Sequence, residues 1–237
     1  MKPPVILHSI ALAAIFLTTL TTNGRAADEY QTLVDESYVA YRAALFKTNA
    51  NDKAGTLDAL ATSKSSWSKV VATYRNSPPA AYMNDKEFAP SLDRISSIYD
   101  RANIETSDGK LAQAHETLEG VRDILGDMRR RNGLVAFSDH INNYHSEMEF
   151  VISGELPADE IRGLTEHAGV LVYLDKQIRG NAPKKYLDDP NFQKLAGENT
   201  AAIERLRKAL ESRNSAEIKN ALSGLKPAYA KLFLAFG

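Results

Sequence analysis

Between Leu111 and Met128 the apolar residues are Leu111, Ala114, Leu118, Val121, Leu125 and Met128, spaced three and four apart throughout. That spacing places them on one face of a helix and is incompatible with a strand, where alternate residues share a face. The same rhythm runs through the chain after residue 28, in a background rich in Ala, Leu, Lys and Glu, and no segment alternates with a period of two. The expectation is an all-α fold: an antiparallel helical bundle built from helical hairpins. About eight helices are expected, over 28–48, 51–76, 86–106, 110–131, 134–153, 158–179, 191–213 and 216–236.

The breaks between these segments have physical causes. Asn76-Ser77-Pro78-Pro79 cannot continue a helix, because proline lacks a donor N–H and restricts the residue before it. Arg129-Arg130-Arg131 followed by Asn132-Gly133 is a helix C-terminus, with cations at the negative dipole end and then a residue tolerant of left-handed dihedrals. Ser153-Gly154-Glu155-Leu156-Pro157, Gly180-Asn181-Ala182-Pro183 and Asp189-Pro190 break the chain again, and Pro227 predicts a kink inside the last segment. A weak internal echo, RAALFKTN at 42–49 beside RKALESRN at 207–214, suggests related hairpins, although the tetratricopeptide pattern is missing. The domain expectation is a signal peptide over 1–26 and one helical bundle over 27–237, with subdivision near 77–85 and 180–190.

The expected compartment follows from the N-terminus. Lys2 precedes an apolar run from Val5 to Leu20, and a polar stretch then ends in Gly24-Arg25-Ala26, the layout of a secretory signal peptide cleaved before Ala27. An uncleaved anchor is the alternative. The chain has no cysteine. This excludes a disulfide framework, a thiolate metal site and covalent haem attachment through Cys-x-x-Cys-His, and export without disulfides favours a bacterial periplasm. Loss of Lys2 and Arg25 with the leader would move the net charge from −1 to −3. Neither value gives an electrostatic case for nucleic acid or anionic lipid.

The candidate chemistry lies on two neighbouring helical segments. In YHSEMEF (144–150), His145 and Glu149 stand four apart beside the core stripe Leu134, Phe137, Ile141, Tyr144, Met148 and Val151. In the preceding segment His115 and Glu119 stand in the same relation, and residues four apart share a helix face. If the two segments form an antiparallel hairpin, each histidine stands level with the other helix's glutamate, and His167 on the sixth segment comes to the same height. His115, Glu119, His145, Glu149 and His167 would then form a nitrogen and carboxylate set suited to zinc, copper or iron. Met148 is most economically a core residue, and becomes a soft ligand if the metal is copper(I). The opposing reading makes all of these ordinary flank residues whose i, i+4 pairs trim surface energetics.

The stretch NYHSEMEFVISG (143–154) resembles the histidine segment of imelysin-like periplasmic proteins, a helical family associated with iron uptake, in which Tyr-His is followed by Glu-Phe and apolar residues. The resemblance covers about a dozen residues, with His145 and Glu149 as the matching positions, and it implies metal binding in a helical bundle. It departs from the family's His-x-x-Glu spacing, since Met148 stands where the glutamate would be. Exported four-helix cytochromes of the b562 type share the class, with Met148 and His145 or His167 as axial ligands, but nothing else in the sequence supports haem.

The remaining features are less specific. Arg129-Arg130-Arg131 suits dipole pairing better than a phosphate grip. Trp67, the one tryptophan, is expected as a buried anchor, and PPAAYMND (78–85) as an exposed crossover or docking loop. There is no Gly-rich phosphate loop, nucleophile elbow or His-Glu-x-x-His, so the sequence gives no positive sign of an enzyme. The expected function is therefore a periplasmic protein binding a transition metal for uptake, buffering or delivery. The competing expectation is a metal-free helical module that docks a periplasmic or membrane partner, leaving an apolar surface patch.

Overall fold

A computed structural model describes the backbone of residues 13–154 and 160–237 and, within that range, the side chains from Glu29 onward. The fold is all-α, without a strand among the described residues. The helices are α1 (Ala13–Asn49), α2 (Lys53–Tyr74), α3 (Phe88–Ser107), α4 (Leu111–Arg131), α5 (Phe137–Ile152), α6 (Ile161–Gly180), α7 (Lys184–Leu187), α8 (Pro190–Ser212), α9 (Ser215–Ser223) and α10 (Leu225–Phe236), with one 3-10 turn at Ala80–Tyr82. The leader expected over 1–26 falls on residues of which 1–12 lie outside the described ones, as do the side chains around Gly24-Arg25-Ala26. No described helix is long and apolar enough to cross a membrane.

The chain divides into two compact units, Met1–Asn132 and Gly133–Gly237. The division therefore falls in the Asn132-Gly133 turn rather than near 77–85 or 180–190. Both of those connectors are fastened within a unit. In the first, Tyr82 is buried, and Asp85 accepts hydrogen bonds from Arg131 and Asn132, each at 2.9 Å. In the second, the short helix α7, absent from the sequence expectation, brings the Tyr186 ring within 5.5 Å of Phe137 and 5.1 Å of Phe236.

In the first unit α1 packs on α2, α2 on α3, α3 on α4 and α4 back on α1, a closed ring of four helices. Every member of the Leu111-to-Met128 stripe is buried in it, together with Trp67, Tyr41 and Tyr99. The second unit closes in the same manner, α5 on α6, α6 on α8, α8 on α10 and α10 on α5, with α9 against α8. Its α5 stripe of Ile141, Tyr144, Met148 and Val151 is fully buried.

The RAALFKTN and RKALESRN segments end α1 and α8, and each leads to a residue with positive φ, Asn51 (φ 55°) and Arg213 (φ 54°). A capping side chain follows at once: Asp52 accepts from the Gly55 N–H, and Asn214 from the Ala216 and Glu217 N–H groups. The echo thus marks two turns built alike. The single helix expected over 216–236 is instead two, because Pro227 cannot tolerate a helical carbonyl four residues earlier at Ser223. The chain bends at Gly224, and Pro227 falls in the first turn of α10, where no N–H is needed.

Candidate metal centre

The two His-x-x-x-Glu pairs belong to different units, since α4 lies before the division and α5 after it. In the first, His115 Nε2 lies 3.5 Å from Glu119 Oε1. The other ring nitrogen, Nδ1, is 2.8 Å from Thr48 Oγ1, whose hydroxyl donates to the Leu45 carbonyl at 2.7 Å. Glu119 Oε1 also holds the Arg122 guanidinium at 2.8 Å, and Arg122 is buried. A guanidinium stays charged under all ordinary conditions. This carboxylate is neutralised by a cation that is itself nearly buried.

In the second unit His145 is buried on α5, with its ring 5.1 Å from that of Tyr229 on α10. Its Nε2 lies 3.4 Å from Glu149 Oε1, and the Lys226 ammonium reaches the same oxygen at 2.9 Å. His145 beside it, helped by Lys226, holds the Glu149 carboxyl down at about 2, against partial burial that works the other way. Lys226 differs from Arg122 in being half exposed, at 48%.

His167 does not join this pair. Its Nδ1 lies 2.6 Å from Glu147 Oε1, and its ring sits 4.7 Å from Phe150. Residue 147 is about 200° around the helix from residue 145, given about 100° per residue. Helix α6 therefore brings His167 to the flank of α5 away from His145. The sequence fixes height along a hairpin but not which flank the neighbour covers. Met148 is fully buried in the core stripe. Among the described residues no three His, Asp or Glu side chains gather as a group able to hold a metal, and within the second unit His167 pairs with Glu147 rather than with His145 and Glu149.

Both His–Glu separations exceed the roughly 2.7–3.2 Å of a good N–H···O bond. Two donors each about 2.1 Å from a tetrahedral ion stand about 3.4 Å apart, which is the spacing found at His145 and Glu149. Arg122, Lys226, Glu147, Thr48 and Tyr229 were not legible as site residues, because each reaches a histidine or its paired glutamate from another turn or another helix. Arg131 and Asn132 meanwhile tie down Asp85 rather than an anion; burial of Asp85 disfavours its charge, but the hydrogen bonds from Asn132 and Arg131 outweigh it and keep the carboxyl low. No protein-family model, curated protein or solved structure matches this chain.

Proposed function

We propose that this is an exported helical-bundle protein that binds a divalent transition metal for uptake, buffering or delivery, with His145 and Glu149 as its donors. The observation that carries the reading is the 3.4 Å spacing of His145 Nε2 and Glu149 Oε1, beside the half-exposed Lys226. One imidazole and one carboxylate suit zinc, iron or copper(II). Two protein donors leave the other coordination positions to water or to a second molecule, which favours exchange over permanent retention. His115 and Glu119 are the weaker candidate, because a buried guanidinium already sits on that carboxylate. Export rests on the Val5-to-Leu20 run, the small residues at Gly24 and Ala26 and the absence of cysteine. The resemblance of NYHSEMEFVISG to the imelysin-like histidine segment points the same way.

The test is elemental analysis of protein isolated from its host, with calorimetric titration of zinc, copper(II) and iron into the wild type, His145→Ala and His115→Ala. Loss of His145 is expected to weaken binding at least about tenfold, and loss of His115 to leave it unchanged. Absence of saturable binding, or equal losses in both variants, overturns the assignment.

A second reading has its own observation. Val39 and Phe46, two turns apart on one face of α1, are 57% and 45% exposed. A metal-free docking module would use such a surface. Under that reading a host carrying His145→Ala and Glu149→Ala together behaves as wild type, whereas one carrying Phe46→Asp behaves as a host lacking the protein.

A further inference from the structure

The exposed surface of α1 carries a pattern with two-fold symmetry. Val39 and Phe46, both exposed, lie about 20° apart around the helix axis, and half-buried Ala43 lies within about 60° of each. The flanks of this apolar stripe are polar in a definite order. Glu36, exposed, precedes Val39, and Lys47, whose side chain is 42% exposed, follows Phe46; both fall on one flank, about 20° apart. On the other flank Asp35 and Asn49, both exposed, are placed likewise. Each of these three pairs is centred on Arg42 to within about half a residue, or about 1 Å along the axis.

A stripe with that symmetry matches a second copy of itself laid antiparallel. Val39 of each copy then faces Phe46 of the other, Glu36 faces Lys47, and the Asp35 carboxylate faces the Asn49 amide. Two antiparallel helices related by a two-fold axis bring like flank to like flank, so acid meets base on one side and acceptor meets donor on the other. A parallel pairing would instead set Glu36 against Glu36 and Lys47 against Lys47. Lys47 already holds Asp52 at 2.8 Å within its own chain, but an exposed ion pair is weak and leaves the ammonium able to take a second carboxylate. An anionic lipid surface would meet Asp35 and Glu36 and be repelled.

We propose that this face of α1 is where two copies of the chain associate, antiparallel and two-fold. The association deepens the docking reading above, on which it rests, by giving the α1 surface its partner. The contact spans only about three helical turns, so the dimer is a weak and reversible one.

The experiment is sedimentation equilibrium of protein isolated from its host, from about 10 µM to about 1 mM, the span in which a small contact dissociates. Wild type is expected to pass from monomer to dimer over that range. Phe46→Asp should weaken association at least about tenfold, whereas Tyr173→Asp, at a comparably exposed ring on α6, should leave it unchanged. Glu36→Lys and Lys47→Glu should each weaken it about fivefold, because each sets like charges face to face twice. An equimolar mixture of those two variants should recover the dimer, since every charge on that flank then meets its opposite. Circular dichroism checks that each variant is folded. A wild type that stays monomeric throughout, a dimer that Phe46→Asp leaves intact, or a mixture no more associated than its components overturns the proposal. The docking reading is judged separately, by the host carrying Phe46→Asp. If that host behaves as one lacking the protein while the wild type is monomeric, the face docks a different molecule; if it behaves as wild type, the docking reading falls whatever the sedimentation shows.

Discussion

Asp175 on α6 is buried with its carboxylate fully engaged by α8: Asn199 Nδ2 donates to Oδ1 at 3.1 Å and Thr200 Oγ1 to Oδ2 at 2.9 Å. Arg179, one turn on, reaches Oδ2 at 2.9 Å. Replacing Asp175 by Ala strips the acceptor from buried Asn199 and the partner from Arg179, and is expected to cost about 3 kcal/mol in urea unfolding. Asp175→Asn keeps one acceptor oxygen and should cost clearly less. Equal losses would mean that packing, not the polar network, carries the effect.

Glu149 gives a pH signature with a definite sign. An ordinary glutamate carboxyl titrates near 4.5, and in the fold Glu149 is held at about 2. A carboxyl depressed by folding contributes stability that is present in full above 4.5 and is lost as the pH falls through about 2. Far-UV circular dichroism of urea unfolding at stepped pH should therefore show an acid-side decline that is shallower in Glu149→Gln. Parallel declines in the two proteins would count against the pairing with His145 and Lys226.

His167 and Glu147, at 2.6 Å, should behave as a structural pair. A double-mutant cycle with alanine at each is expected to give a coupling of about 0.5–1 kcal/mol, since both groups are partly exposed. Zinc affinity should not change in His167→Ala. A large loss there would return the imidazole to the set of metal donors.

Trp67 is the one tryptophan, is 2% exposed and donates its indole N–H to the Leu92 carbonyl at 3.2 Å. Its emission therefore reports the first unit, while circular dichroism reports both. Trp67→Phe should remove the indole signal and cost about 1–3 kcal/mol through the lost hydrogen bond and lost volume. An emission maximum of the free indole type in the native protein would contradict the burial.

Local physics made much of the fold legible. The Leu111-to-Met128 stripe, the basic end of α4 with Gly133 at φ +67°, and Pro190 opening α8 each follow from interactions within a turn or two. The last segment was misjudged because Pro227 marks the start of a helix as naturally as a kink within one. At the site, the His145–Glu149 pair was readable because both residues lie on one face of α5. Lys226 was not, because which side chain meets that face depends on how α10 returns to α5, and helical periodicity says nothing about neighbours. The same blindness placed His167 at the right height and on the wrong flank.

The closure of each four-helix ring by its last helix sets an order of assembly on the growing chain. The first ring has all its walls once α4 ends at Arg131, with His115, Glu119 and Arg122 already on that helix. The second waits for α10, which carries both Lys226 and Tyr229. A nascent chain that has released α5 but not α10 holds His145 and Glu149 with neither the ammonium nor the aromatic cover. During that interval the pair stands uncovered, and the arrival of α10 is what turns a solvent-facing polar pair on one helix into a buried contact between two.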